Sequence, residues 1–144
     1  MPHLISRLLF AGAAVSFCGG GIMHAAAYRS VGAAAISRAQ IPPFLGGELK
    51  VLWLADSTTL ISLALVVAYI AIKPMVAARS CIMLLALLPA ATAALLFLFL
   101  GPFYPGWVLA AASLMMFVGG FLMPPRLGPS TKPSVESASG HATY

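Results

Sequence analysis

Charged residues are scarce in this sequence, at 8% of 144 residues, whereas hydrophobic residues make up 61%. An ordinary soluble domain is roughly 25% charged and 45–50% apolar. A soluble fold could not hide so much apolar surface from water, so the composition excludes an ordinary soluble enzyme or binding domain. It predicts an integral membrane protein, with the lipid bilayer as its first partner.

The residues that usually carry redox or metal chemistry are also few. Cys18 and Cys81 are the two cysteines, and the absence of a Cys-x-x-Cys pair argues against a thiol–disulfide enzyme. Their predicted depths differ by about 15 Å or more, which is too far for a disulfide. His24 is the one histidine within a long apolar run, so the chain alone cannot build a His-rich metal site. No metal site is predicted, and no residue pattern specifies a cofactor.

Three other classes of function lack their signatures. The Lys and Arg residues are dispersed, without the basic cluster and interleaved aromatics of a nucleic-acid surface. The stretches "CGGGIM" and "FVGGFLM" lie inside apolar runs and are not phosphate-binding loops. Asp56 is the only acidic residue within an apolar run, whereas a proton pump needs a chain of acidic groups across the bilayer. The sequence therefore predicts none of these three functions.

Four long apolar runs are what the sequence does contain. A helix needs about 20 residues to cross a hydrocarbon core of about 30 Å. The runs of this length are approximately residues 4–28, 49–72, 80–101 and 106–123. They predict an all-α integral membrane protein, an up-down bundle of four transmembrane helices within residues 1–124. Residues 125–144, rich in Pro, Ser and Gly, predict a disordered cytoplasmic tail.

The first run has a second interpretation. "MPHLISR" followed by an apolar stretch and "HAAAYRS" also resembles a cleaved secretory signal, with a basic start and an Ala-x-Ala site. The apolar stretch runs on past the length of an ordinary signal core. We therefore expect this run to stay as the first of four helices.

The distribution of Lys and Arg predicts the orientation. With four helices, one face of the membrane holds Arg7, Lys73, Arg79, Arg126 and Lys132, and the other holds Arg29, Arg38 and Lys50. The positive-inside tendency then places both termini in the cytoplasm. No transit peptide is evident, so we expect a bacterial cytoplasmic (inner) membrane. The stretch between the first two helices, about 20 residues long, would lie outside, where "VGAAAISRAQ" predicts a short helix ended by two prolines.

A carboxylate at the head of the second apolar run is the most informative single feature. Asp56 is expected roughly 10 Å below the outer boundary, and His24, at the end of a small-residue stripe at Gly12, Ser16 and Gly20, roughly 6 Å below it. Because the two helices would run antiparallel, the two side chains are expected to face each other. Two plainer interpretations are an N-cap at Asp56, in "DSTT", and a His24 bonded only to a nearby carbonyl group.

Aromatic and basic residues gather near the same boundary. Trp53 and Thr59 share the helix face of Asp56, and Arg29 follows His24 within reach of the head groups. Phe103, Tyr104 and Trp107 could cap an outer pocket above the pair, although an aromatic belt also explains them. The predicted ligand-binding residues are His24, Arg29, Trp53, Asp56, Thr59, Tyr104 and Trp107.

These observations support three hypotheses about function. The first is non-enzymatic and is the one we favour: the outer end binds a hydrophobic ligand or lipid, or the chain is an accessory subunit. The second is a membrane enzyme in which His24 and Asp56 act as an acid–base pair on a quinone or lipid-like substrate. The third is purely structural. Small-residue faces at Ala86/Ala90/Ala94 and Ala112/Met116/Gly120 further predict packing against a second copy or a larger membrane complex. No motif identifies a family.

Overall fold

The computed structural model of the protein describes residues 2–123, and the part of the chain that it describes contains helices and no strands. Four stretches are long and apolar enough to cross a membrane, which confirms an all-helical chain with the features of an integral membrane protein. The helices are α1 (Pro2–Ala27), α2 (Ala33–Arg38), α3 (Pro43–Ile72), α4 (Arg79–Leu100) and α5 (Tyr104–Phe121). The predicted tail, residues 125–144, lies outside the described residues.

The stretch predicted to connect the first two helices on the outside is mostly helical, and the short helix predicted in "VGAAAISRAQ" is confirmed as α2. A π-helical turn, Tyr28–Gly32, joins α1 to α2, so that one continuous helical rod runs from His3 to Arg38. Alanine is the best helix former, and the "AAA" in this stretch explains why the rod continues. The chain reverses over residues 39–42, where Gln40 has a positive φ of 48° and the prolines that follow start α3.

Helix α3 begins at Pro43, well before the start of the second apolar run, and its N-cap is Pro42. Proline suits the first turn of a helix because the missing N–H has no partner there in any case. Asp56 consequently lies near the middle of α3. The N-cap interpretation of Asp56 is wrong.

Helix α1 lies at the centre of the packing. It contacts α3 on one side and α5 on the other, and α4 packs against α5. Among the described residues no extensive interface joins α3 to α4, so the arrangement is open between these two helices. The largest fully buried side chains include Phe10 and Phe17 of α1, Val67 of α3 and Met116 of α5.

Two hydroxyl groups join neighbouring helices directly. Ser6 donates to the carbonyl oxygen of Gly119 at 2.7 Å, and Ser113 donates to that of Ala86 at 2.8 Å. Both serines are buried. In a bilayer the hydrophobic effect does not drive helices together, because the lipid tails are as apolar as the side chains. Hydrogen bonds of this kind therefore help to hold membrane helices together.

Close approach of helices depends on particular glycines. A β-carbon on Gly21 would lie 2.8 Å from Ile61 Cγ1 and 3.0 Å from the carbonyl oxygen of Ser57, so α1 and α3 meet there. The stripe predicted from sequence runs through Gly20 instead, around which there is nothing within 4 Å. At this level α1 therefore meets α3 at Gly21, whereas Gly12 of the predicted stripe faces α5, where its β-carbon would lie 3.1 Å from Met115 Sδ.

The small-residue faces expected to meet a second copy are largely used inside the chain. Ala86, Ala112 and Met116 are fully buried, and Gly120 faces Ile82 of α4. The expectation that these faces are unused inside the chain is wrong at these four residues, whereas Ala90 is half-buried and Ala94 is exposed; packing against a second copy or a larger membrane complex stays a prediction. The surface that remains is covered by large exposed apolar side chains, as expected for helices surrounded by lipid.

Candidate functional site

The side chains of His24 and Asp56 meet at the edge of the α1–α3 interface. Nε2 of His24 lies 3.4 Å from Oδ2 of Asp56, and the two side chains are 35% and 47% exposed. The predicted juxtaposition of these residues is confirmed, while their function stays a prediction. The pair is half-exposed at the side of the helices rather than enclosed within the packed interior.

Trp53, one turn before Asp56 on α3, holds His24 in place. Its indole ring stacks on the imidazole, with 4.8 Å between ring centroids and 13° between planes. Its Nε1–H also donates to the carbonyl oxygen of His24 at 2.8 Å. One side chain thus fixes both the backbone and the ring of the histidine. Tyr28 adds a tilted ring contact to Trp53 at 6.1 Å. We call His24, Tyr28, Trp53 and Asp56 the His24 cluster.

The polar atoms of the His24 cluster retain unused hydrogen-bonding capacity. The 3.4 Å contact is at ion-pair distance, longer than the usual range of N–H···O bonds. Within the described residues neither the imidazole nitrogens of His24 nor the carboxylate of Asp56 takes part in a hydrogen bond. Both side chains are partly exposed, so these unused atoms are accessible. They are free to bond a ligand.

Arg29 and Thr59 lie near the cluster but do not join it. Arg29 is exposed and forms no ion pair with any described residue. Thr59 is exposed and donates to the carbonyl oxygen of Ala55 in its own helix, at 2.8 Å. The buried residue at this level of α3 is Ser57 instead. Each residue turns about 100° around a helix, so Thr59 faces away from α1 once Ser57 faces it.

Tyr104 and Trp107 lie on α5 and point elsewhere. They are 71% and 61% exposed. The ring of Trp107 packs on Phe97 of α4, with centroids 4.9 Å apart. Across residues 2–123, neither side chain makes a ring contact or hydrogen bond with the His24 cluster. The structure therefore does not bring these two aromatics together with His24 and Asp56.

An apolar groove lies on α3, close to the cluster along the chain although none of the four cluster residues lines it, and the sequence did not predict it. The groove has a volume of about 880 Å³ and is lined by the chain reversal and the first half of α3, including Ile41, Phe44, Leu45, Val51 and Leu52. It ends at Ala55, the residue before Asp56. Apolar residues at helical spacing from Phe44 onward are the signal that could have revealed it, but this segment was interpreted as loop. Tyr28, four residues after His24, was also missed, because it was treated as the end of the first apolar run.

The donor set of the site restricts its chemistry. Among residues 2–123 no group of three or more His, Cys, Asp or Glu side chains could hold a metal ion. One imidazole and one carboxylate beside apolar surface can bond a hydroxyl, amine or carbonyl group, or exchange a proton with it. Comparison with family models, curated proteins and solved structures found no match. The geometry of this site is thus the basis for interpreting it.

Proposed function

We propose that this protein binds an amphipathic hydrophobic ligand or lipid at the His24 cluster. The single observation that carries the proposal is the pair His24–Asp56, which is fixed by Trp53 yet makes no side-chain hydrogen bond with any residue that the structure describes. Ionisable groups within a membrane-spanning segment are costly and are retained where they serve a function. Their unused donors and acceptors suit the polar end of a ligand.

The apolar groove suits the rest of such a ligand. Its lining extends to Ala55, the residue before Asp56, and we propose that a ligand whose polar group is bound at Asp56 lays its apolar part along Phe44 and Leu52. Binding sites for small molecules commonly combine apolar walls with a few placed polar groups. A lipid or a quinone has this combination.

The setting that we propose is an up-down bundle in a bacterial cytoplasmic membrane, with both termini inside. Two observations support the orientation. Arg7 donates to the carbonyl oxygen of Ala71, and Arg79 lies over the ring of Phe121, so both arginines are at the end where α1 begins. The acids of α3 lie toward the opposite end. A surplus of basic residues is typical of the cytoplasmic side.

The experiment that tests ligand binding is mass spectrometry of small molecules that co-purify with the protein in mild detergent. Wild type is compared with His24→Ala/Asp56→Ala, and Thr58→Ala is the control, because Thr58 is exposed and donates only within its own helix. We expect one compound to be retained by wild type and the control and lost from the double variant. Equal retention by all three, or no retained compound, would contradict binding at this cluster.

An accessory subunit is a second candidate, favoured by the unequal lengths of the helices. The rod from His3 to Arg38 has 36 residues and α3 has 30, whereas α4 and α5 have 22 and 18. The first two therefore extend past the others at the His24 end, and Phe44 there is 74% exposed. A partner membrane protein could cover this extension. Co-purification of one partner with wild type and its loss on Phe44→Ser would support this candidate.

An acid–base enzyme is the third candidate. Here Asp56 would orient the imidazole and stabilise its charged form, while His24 exchanges a proton with a quinone or lipid-like substrate. The 3.4 Å separation of the two side chains supports this division of roles. An enzyme of this kind requires the same exposed geometry as a binding protein. The two candidate functions are distinguished by whether a bound compound is converted to a product.

A further inference from the structure

A second cavity lies at the opposite end of α1 from the His24 cluster. Its volume is about 400 Å³. It is lined by His3 and Ser6 of α1, the connection after α3, and Arg79 and Ser80 at the start of α4. Met123, after α5, also lines it. The cavity thus lies where four helix ends meet, those of α1, α3, α4 and α5, at the level where lipid head groups surround a membrane protein.

Among the described residues, the charged groups at this end are all basic. Arg7, Lys73 and Arg79 all lie here, beside His3. The acidic residues of the part of the chain that the structure describes are Glu48 and Asp56, both in α3 away from its last turns. No described carboxylate therefore neutralises the basic groups around the cavity.

Arg79 is held in place, while its donors are not used by any of the described residues. Its guanidinium carbon lies 4.4 Å from the centroid of the Phe121 ring, a cation–π contact that orients the planar group. Arg79 donates no hydrogen bond to another described residue. Arg7, in contrast, donates through Nε to the carbonyl oxygen of Ala71 at 2.9 Å and is committed to the end of α3. Of these two arginines, Arg79 is the one whose guanidinium N–H groups make no hydrogen bond to the described residues.

We propose that this cavity binds the phosphate group of an anionic phospholipid from the leaflet at this end of the helices. The guanidinium fork of Arg79 matches phosphate geometry, and His3 and Ser80 add donors on the cavity wall. The remaining walls are apolar, including Met75, Ala77 and Met83, and suit the glycerol and the start of the acyl chains. Basic pockets between membrane helices bind lipid head groups in this way.

The test is a competition between two lipids, followed by native mass spectrometry. Delipidated protein in an uncharged detergent is incubated with equal amounts of phosphatidylglycerol and phosphatidylcholine, and the ratio of the two bound lipids is measured. We expect wild type to prefer phosphatidylglycerol and Arg79→Gln to lower the ratio about fivefold, the effect of one basic residue near a lipid phosphate. His3→Gln should lower it in the same direction.

Arg38→Gln is the matched control because it removes one exposed arginine at the other end of the molecule. Its ratio should equal that of wild type. Arg79→Lys keeps the positive charge but removes the planar guanidinium group with its paired donors. Its ratio of bound phosphatidylglycerol to phosphatidylcholine should lie between those of wild type and Arg79→Gln. Melting temperatures of all variants show whether the variant protein is folded; if Arg79→Gln is not, His3→Gln and Arg79→Lys decide.

Four outcomes would overturn the proposal. These are an equal affinity of wild type for both lipids, an unchanged ratio when Arg79 and His3 are replaced, an equal fall in the Arg38→Gln control, and displacement of phosphatidylglycerol by an excess of inorganic phosphate. The last would identify the ligand as a free anion rather than a lipid. The readout is independent of the His24 cluster.

Discussion

The indole of Trp53 and the imidazole of His24 are stacked 4.8 Å apart, and the same indole donates a hydrogen bond to the carbonyl oxygen of His24. This double contact joins α1 to α3 at the level where Asp56 approaches the ring. It leaves the imidazole nitrogens unbonded but limits where the ring can go. A binding group that is held in position before its ligand arrives costs less entropy on binding.

Two substitutions of Trp53 should distinguish how much its ring contact and its hydrogen bond each contribute to stability. Trp53→Phe keeps an aromatic ring against His24 but removes the N–H donor, so we expect the free energy of unfolding in mixed micelles to fall by about 0.6–1.7 kcal/mol. Trp53→Ala removes ring and donor and should cost more, about 3 kcal/mol or above, because a large partly buried ring is lost. Equal losses for the two variants would show that the ring contact contributes nothing.

Asp56→Asn should abolish ligand retention, or turnover if the cluster is an acid–base pair, while leaving the fold intact. The carboxylate accepts no hydrogen bond from the described residues and is about half exposed, so its charge stabilises the protein little. We expect the free energy of unfolding to change by less than about 1 kcal/mol. A much larger loss of stability without loss of retention would favour the purely structural hypothesis.

Neighbouring glycines of α1 provide a matched pair of substitutions. Gly21→Ala places a methyl group 2.8 Å from Ile61 and 3.0 Å from the Ser57 carbonyl oxygen, so α1 and α3 must move apart. We expect a loss of about 1–3 kcal/mol in the free energy of unfolding, as for overpacking. Gly20→Ala meets nothing within 4 Å and should be neutral or stabilising by up to about 1 kcal/mol, because alanine is the better helix former. A larger loss of stability for Gly20→Ala than for Gly21→Ala would mean that α1 and α3 do not meet at Gly21.

The serine hydrogen bonds between helices should contribute measurably to stability. Ser113→Ala removes the donor to Ala86 on α4, and Ser6→Ala removes the donor to Gly119 on α5. Each should lower the free energy of unfolding by about 0.6–1.7 kcal/mol. Thr92→Ala is the control, since Thr92 donates to Leu88 within α4 and joins no second helix. If Thr92→Ala lowers the free energy of unfolding as much as the serine variants do, the loss does not come from a hydrogen bond between helices.

The His24–Asp56 contact was predictable because depth along a helix depends on little besides position in the chain. Each residue advances about 1.5 Å, so two antiparallel helices joined by a known connection place particular residues at the same level. The helical extensions, residues 28–38 after α1 and residues 43–48 at the start of α3, lengthened both helices and left this matching unchanged. Rotation about each axis was less predictable: the contact face of α1 passes through Gly21 rather than Gly20, and Thr59 turns away from α1.

The sequence itself determined the membrane class, the helical fold and the number of long helices. A chain crosses the hydrocarbon core only where its backbone polar groups are hydrogen-bonded to one another and its side chains are apolar over about 20 residues. Tertiary structure alone decided which helices are neighbours. It placed α1 between α3 and α5, separated Tyr104 and Trp107 from the His24 cluster, and set Trp53 against His24. These choices depend on packing between surfaces far apart in the chain, and a rotation of one residue, about 100°, is enough to change which side chains meet.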